Sequence, residues 1–213
     1  VNLTTAQVST FVTGQVAALT ATEVAAFKTS QLVVLTATQI PALSTDAVNA
    51  LTTGQVLSLT TLQVSSLTTA QMPALTTAQI QTLTSAQLLS LKTAQVAALS
   101  LADLDALTTA QIQVLTTAQV AAFTTAQMAS LTTGQIVALT TAQVQALTTG
   151  QIAVMTPDQL TAMEIVDLQA IKTSQLQALT TAQVQALTTD EIAALTTGQV
   201  SSLTTAQVVS LST

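Results

Sequence analysis

The sequence predicts an all-α solenoid of very short capped helices, one per eight-residue repeat. Three observations predict it: an octad that keeps its phase along the chain, a helix-start signature inside each octad, and a spacing too short for any one helix to stand alone. Written in rows of eight, the 213 residues give 26 full octads from Leu3 to Ser210, with two residues ahead and three behind. One octapeptide-repeat solenoid over residues 1–213 is expected, with no linker and no internal boundary.

The consensus is Leu-Thr-Thr-Ala-Gln-Val-x-Ala, as at residues 115–122. Position 1 is always a large apolar residue and position 6 is always Val, Ile, Leu or Met. Position 2 is Thr or Ser in most octads, and position 5 is almost always Gln, Glu or Asp. A Thr N-cap followed three residues later by Gln is the capping box: the hydroxyl accepts from the N3 amide, and the Gln side chain accepts from the cap amide. Positions 1 and 6 then become N′ and N4, the pair that closes a hydrophobic staple. A helix restarting every eight residues runs five to seven residues, about two turns or fewer. Such a helix is unstable alone in water, so stability has to come from stacking. Burial of positions 1 and 6 is expected, with the small residues at 4 and 8 allowing close approach.

Along the chain, the departures fit the same frame. Val12, Lys28, Lys92, Glu164 and Lys172 stand where the cap should be, and Ala47 replaces the N3 residue. Glu23 and Glu191 keep the N3 role, while Asp46, Asp158 and Asp190 fall at N2, near the positive helix end. Pro157 falls at N1, where its missing N–H costs nothing. Pro41 and Pro73, at position 7, predict single-turn or bent helices in their octads. The octad over residues 163–170 is the most degenerate, a kink or a contact point. All three lysines and all three phenylalanines fall in even-numbered octads, which suggests a sixteen-residue unit.

Two rival architectures stand against this one. A single continuous helix would wind the apolar positions round its whole surface, because eight residues advance them by about 80° per repeat. Repeated Thr-Thr pairs also disfavour helix interiors. A β-solenoid with Thr and Val ladders remains the alternative, since both residues favour strands.

Composition narrows the chemistry. There is no His, Cys, Trp, Tyr or Arg, charged residues make up 6%, and the formal charge is -6. No basic stripe tracks phosphates, so no nucleic-acid binding is expected. No stretch of about 18 apolar residues occurs, so no transmembrane segment is expected. Without Cys there is neither a disulfide framework nor a thiolate metal site. Nucleophilic catalysis needs a base beside the hydroxyl, and the capping role already accounts for the threonines. Asp103 with Asp105, Asp158 with Glu164 and Asp167, and Asp190 with Glu191 are the acidic groupings that could hold calcium or act as acid and base. Most of these acids sit in N2 or N3 capping slots, and no Gly-rich calcium loop surrounds them. Gly14, Gly54, Gly134, Gly150 and Gly198 each stand alone at position 4 and form no phosphate-cradling loop. Asn2-Leu3-Thr4 matches the N-glycosylation pattern, a short match that carries no weight here. No catalytic, cofactor-binding or metal residue is assigned, no cofactor is expected, and the chain is read as no enzyme.

The octads Leu-Thr-Thr-Ala-Gln-Val and Leu-Thr-Thr-Gly-Gln-Ile resemble the Thr-Ala-Gln octapeptide-repeat tracts of large, repetitive bacterial secreted or surface proteins of adhesin-like type. That resemblance covers essentially the whole chain and implies an extracellular or cell-surface setting. No initiator Met or signal peptide is visible, so any export signal is expected outside this segment. The array starts and stops inside octads without polar capping repeats, which predicts a longer parent chain or end-to-end self-association. The expected role is structural, a surface stalk or self-assembling filament. The alternative is an adhesive or ligand-binding module presenting a regular Thr/Gln face to a glycan, a partner protein or ice.

Overall fold

The computed structural model describes residues 3–211. Among them are 24 α-helices of four to six residues and two 3-10 helices, one helix for each of the 26 octads, and no strand. The fold is all-α, and the β-solenoid is not what forms. The helices fall in the phase the capping signature predicts. In octad 15, for example, Thr116 is the extended N-cap of the helix Thr117–Ala121, with φ -69° and ψ 156°.

The chain divides into two compact units, Val1–Leu107 and Thr108–Thr213. In the first, Ala21–Ala25 packs on Thr45–Asn49 and Thr61–Ser66 on Ser85–Ser90. In the second, Thr117–Ala121 packs on Thr141–Ala146 and Thr181–Ala186 on Thr205–Ser210. Each of these partners lies three octads along the chain. Side-chain hydrogen bonds between layers join residues 25 to 31 apart, so one coil takes between three and four octads. The sixteen-residue unit suggested by the lysines and phenylalanines does not exist as a coil, since neither packing nor hydrogen bonding repeats at two octads. Those six residues occupy cap and position-1 sites that recur in every octad.

Positions 1 and 6 form the core, as expected. From Val8 to Val184 the position-6 side chains are almost completely buried, and Leu35, Leu43, Leu131 and Leu147 represent the nearly buried position-1 row. Burying such a side chain stabilises by roughly 1.5–3 kcal/mol, and two per octad recover what a helix of fewer than two turns cannot supply by itself. The core closes tightly. In the first unit a gap of about 10 Å³ between side chains such as Val48, Val56, Val64 and Met72 is wholly apolar in its lining and barely the size of one water.

Two details differ from the sequence reading. The small residues at position 4 are exposed and mediate no close approach: a Cβ added at Gly14 or Gly198 would meet nothing within 4 Å. The buried polar position is 5, the glutamine. At Pro41 and Pro73 the expected single-turn segments form, as the 3-10 helices Ile40–Ala42 and Met72–Ala74, because proline at position 7 removes the N–H that would extend an α-turn.

Candidate functional site

The recurring polar feature is the position-5 glutamine. Thr140 and Gln143 show its near half: the Thr140 amide donates to Gln143 Oε1 at 2.8 Å, and the Gln143 amide donates to Thr140 Oγ1 at 3.3 Å. That is the capping box. The far half reaches into the preceding coil, where Gln143 Nε2 donates to the carbonyls of Ile112 at 2.9 Å and Leu115 at 2.7 Å. One side chain therefore starts its own helix and donates to two carbonyls at the end of an earlier one: that of Ile112, which also accepts from Leu115 N at 3.2 Å, and that of Leu115, past the last helical turn.

The same double bond repeats at fixed offsets of 28 and 31 residues. In the first unit Gln55 takes Phe27 and Val24, Gln63 takes Leu35 and Leu32, and Gln95 takes Leu67 and Val64. In the second, Gln151 takes Phe123 and Val120, and Gln207 takes Leu179 and Leu176. Gln7, Gln15 and Glu23, in the first three described octads, are exposed, whereas Gln31 and Gln39 are buried and bonded to Leu3 and Phe11. A second set of ties runs from position 7: Asn49 Nδ2, Gln169 Nε2 and Gln177 Nε2 donate to the carbonyls of Ala74, Ala194 and Ser202.

The noted acids separate into inward and outward groups. Asp103, Asp167 and Glu191 are buried at position 5, while Asp105, Asp158, Glu164 and Asp190 are exposed. Asp103 Oδ2 accepts from the amide and hydroxyl of Ser100, and Glu191 Oε2 from those of Thr188, so both serve as cap acceptors. Asp167 instead accepts from Thr141 Oγ1 at 2.7 Å, 26 residues earlier. Among the described residues no three His, Cys, Asp or Glu side chains come together. Glu23 titrates below the ordinary glutamate range, because the Thr20 amide and then its hydroxyl donate to the carboxylate, against a small opposing effect of burial.

Lys28, Lys92 and Lys172 are exposed and give no side-chain cap, yet their backbone amides still donate to Gln31, Gln95 and Gln175 at 2.7 Å. Val12 does the same to Gln15 at 2.9 Å. In the degenerate octad, Glu164 caps nothing through its side chain, and the helix Ile165–Ala170 has no capping box. Its main chain is not kinked out of register, since Leu168 N still donates to the Glu164 carbonyl at 3.0 Å. Asn2 of the glycosylation match lies outside the described residues.

The outer surface carries position 3 and position 4, mostly Thr followed by Ala or Gly, and at one glycine a neighbouring coil comes within ordinary contact distance. The place of a Cβ on Gly150 lies 3.9 Å from Thr125 Cγ2, 25 residues earlier. No helix among the described residues is long and apolar enough to cross a membrane.

The far half of each glutamine was missed by sequence reasoning, although a signal was present. A capping box accepts Glu as readily as Gln, yet position 5 is Gln in 21 octads and Glu in two. A preference for the amide indicates that its N–H groups are used.

The ALTTAQ repeat family model matches the chain in five tandem segments, residues 24–61, 64–101, 98–133, 133–165 and 160–197. No curated protein matches it.

Proposed function

The chain belongs to the ALTTAQ repeat family, and from that premise we propose that it is a non-catalytic structural protein of the cell exterior, a surface stalk or self-assembling filament built by stacking octads. The observation that carries this reading is the uniformity of the coil-to-coil contact. Within each unit, successive layers are joined by the same buried apolar pair and, in most octads, by the same glutamine amide, so a further octad meets contacts of the same kind. The extracellular setting rests on the resemblance to secreted and surface repeat tracts.

Electron microscopy of the purified protein over a concentration series tests the assembly. Uniform fibres with an axial repeat near the roughly 8 to 10 Å of packed helices support the filament, whereas discrete rods that never elongate refute self-assembly and leave the stalk. A second reading draws on the exposed Thr-Ala and Thr-Gly pairs at positions 3 and 4, which recur every eight residues. Such a regular face suits a glycan, a partner protein or ice. Thermal hysteresis or glycan-array binding by a monodisperse preparation would favour it.

A further inference from the structure

The amide ladder has gaps, and we infer that they are the seams at which each solenoidal unit opens first. By the 28- and 31-residue register, Ala47 stands over the carbonyls of Leu19 and Val16, and Asp103 over those of Leu75 and Met72. In the second unit Asp167 stands over Leu139 and Ile136, and Glu191 over Met163 and Leu160. None of these four side chains has an N–H to give. Asp103 and Glu191 are buried like the glutamines they replace, and a carboxylate there sets one acceptor against others.

The two carbonyls of a slot differ in what they lose. The position-6 carbonyl keeps a local donor, as in Leu75 N to Met72 O at 3.2 Å and Met163 N to Leu160 O at 3.2 Å. The position-1 carbonyl depends on the amide from the next coil, so Leu75 and Met163 bear the deficit. They are buried, and a buried acceptor left without its donor destabilises the closed state. Leu19 is only half-buried, and water can serve its carbonyl when the coil breathes. At Asp167 the Thr141 hydroxyl supplies a replacement tie in the opposite direction. The seams therefore rank, with Asp103 and Glu191 the weakest contacts and Asp167 held more firmly. Because each coil touches only its neighbours, such a deficit appears as local opening at that contact and not as loss of the whole fold.

Native-state hydrogen exchange of the whole chain tests this. Helices flanking the Asp103 and Glu191 contacts should exchange about tenfold faster than helices in coils tied by glutamine. Asp103→Gln and Glu191→Gln, which restore the repeat consensus, should each slow exchange about tenfold at their own seam only, and Asp167→Gln, which gives up the Thr141 bond, should change it less. Equal protection in every coil, or glutamine variants that leave their seam's exchange unaltered, would overturn the assignment. The outcome is independent of whether the protein acts as stalk, filament or binding face.

Discussion

At the scale of the residue, the two ends of one glutamine can be separated by substitution. Thr140→Ala removes the hydroxyl that accepts from Gln143 N and should cost about 1 kcal/mol, the usual value of an N-cap. Gln143→Glu keeps a carboxylate oxygen for the Thr140 amide but removes the donor to Ile112 and Leu115, leaving buried acceptors opposed. It should cost more, about 2 to 3 kcal/mol, at neutral pH. Urea-denaturation midpoints of the two variants decide the order; if Thr140→Ala is the more damaging, the amide tie is minor. Glu23 offers a proton-linked check. Its folded-state pKa lies below the unfolded one, so its contribution is present above the unfolded value and lost as pH falls through the folded value. An NMR titration should place its midpoint below that of an ordinary glutamate. Thr20→Val should raise the midpoint only part of the way, because the backbone amide remains the larger influence.

At the scale of the element, each helix is a segment of fewer than two turns, and its weak points are its cap and, in five octads, a glycine. Gly150 lies in the helix Thr149–Val154, and an added Cβ meets only Thr125 and Thr148, both at 3.9 Å. Gly150→Ala should therefore stabilise by about 0.5 to 1 kcal/mol, seen as a raised thermal midpoint; destabilisation would mean that the Thr rows of adjacent coils are packed more tightly than the structure has them. Lys172 lies at a cap with no side-chain acceptor while its amide is already bonded to Gln175. Lys172→Thr completes the box and should add about 1 kcal/mol. The helix boundaries were legible in the sequence because the signals are local. Thr at N-cap and Gln at N3 act within four residues, and Pro41 and Pro73 shorten their own helices wherever the coil places them. Position 4 was misjudged for the opposite reason. Which face a small residue occupies depends on the direction of stacking, and nothing inside one octad records it.

At the scale of the whole chain, an array whose parts contact only near neighbours unfolds by loss of coils, so a single two-state transition is not expected. Far-UV circular dichroism and backbone exchange followed through one urea titration should give non-coincident transitions; coincidence would require cooperativity that the coil contacts do not explain. The class, the phase and the core were legible in the amino-acid pattern: the unbroken octad, the capping box and the apolar pair at positions 1 and 6 admit one short helix per repeat. The coil was set by contacts between octads. Hydrogen bonds over 28 and 31 residues fix it at between three and four octads and turn an apparently exposed polar residue into the buried tie between layers. The physical reason is that a carbonyl at a helix end must find a donor, and identical octads contain no information about which later glutamine will supply it.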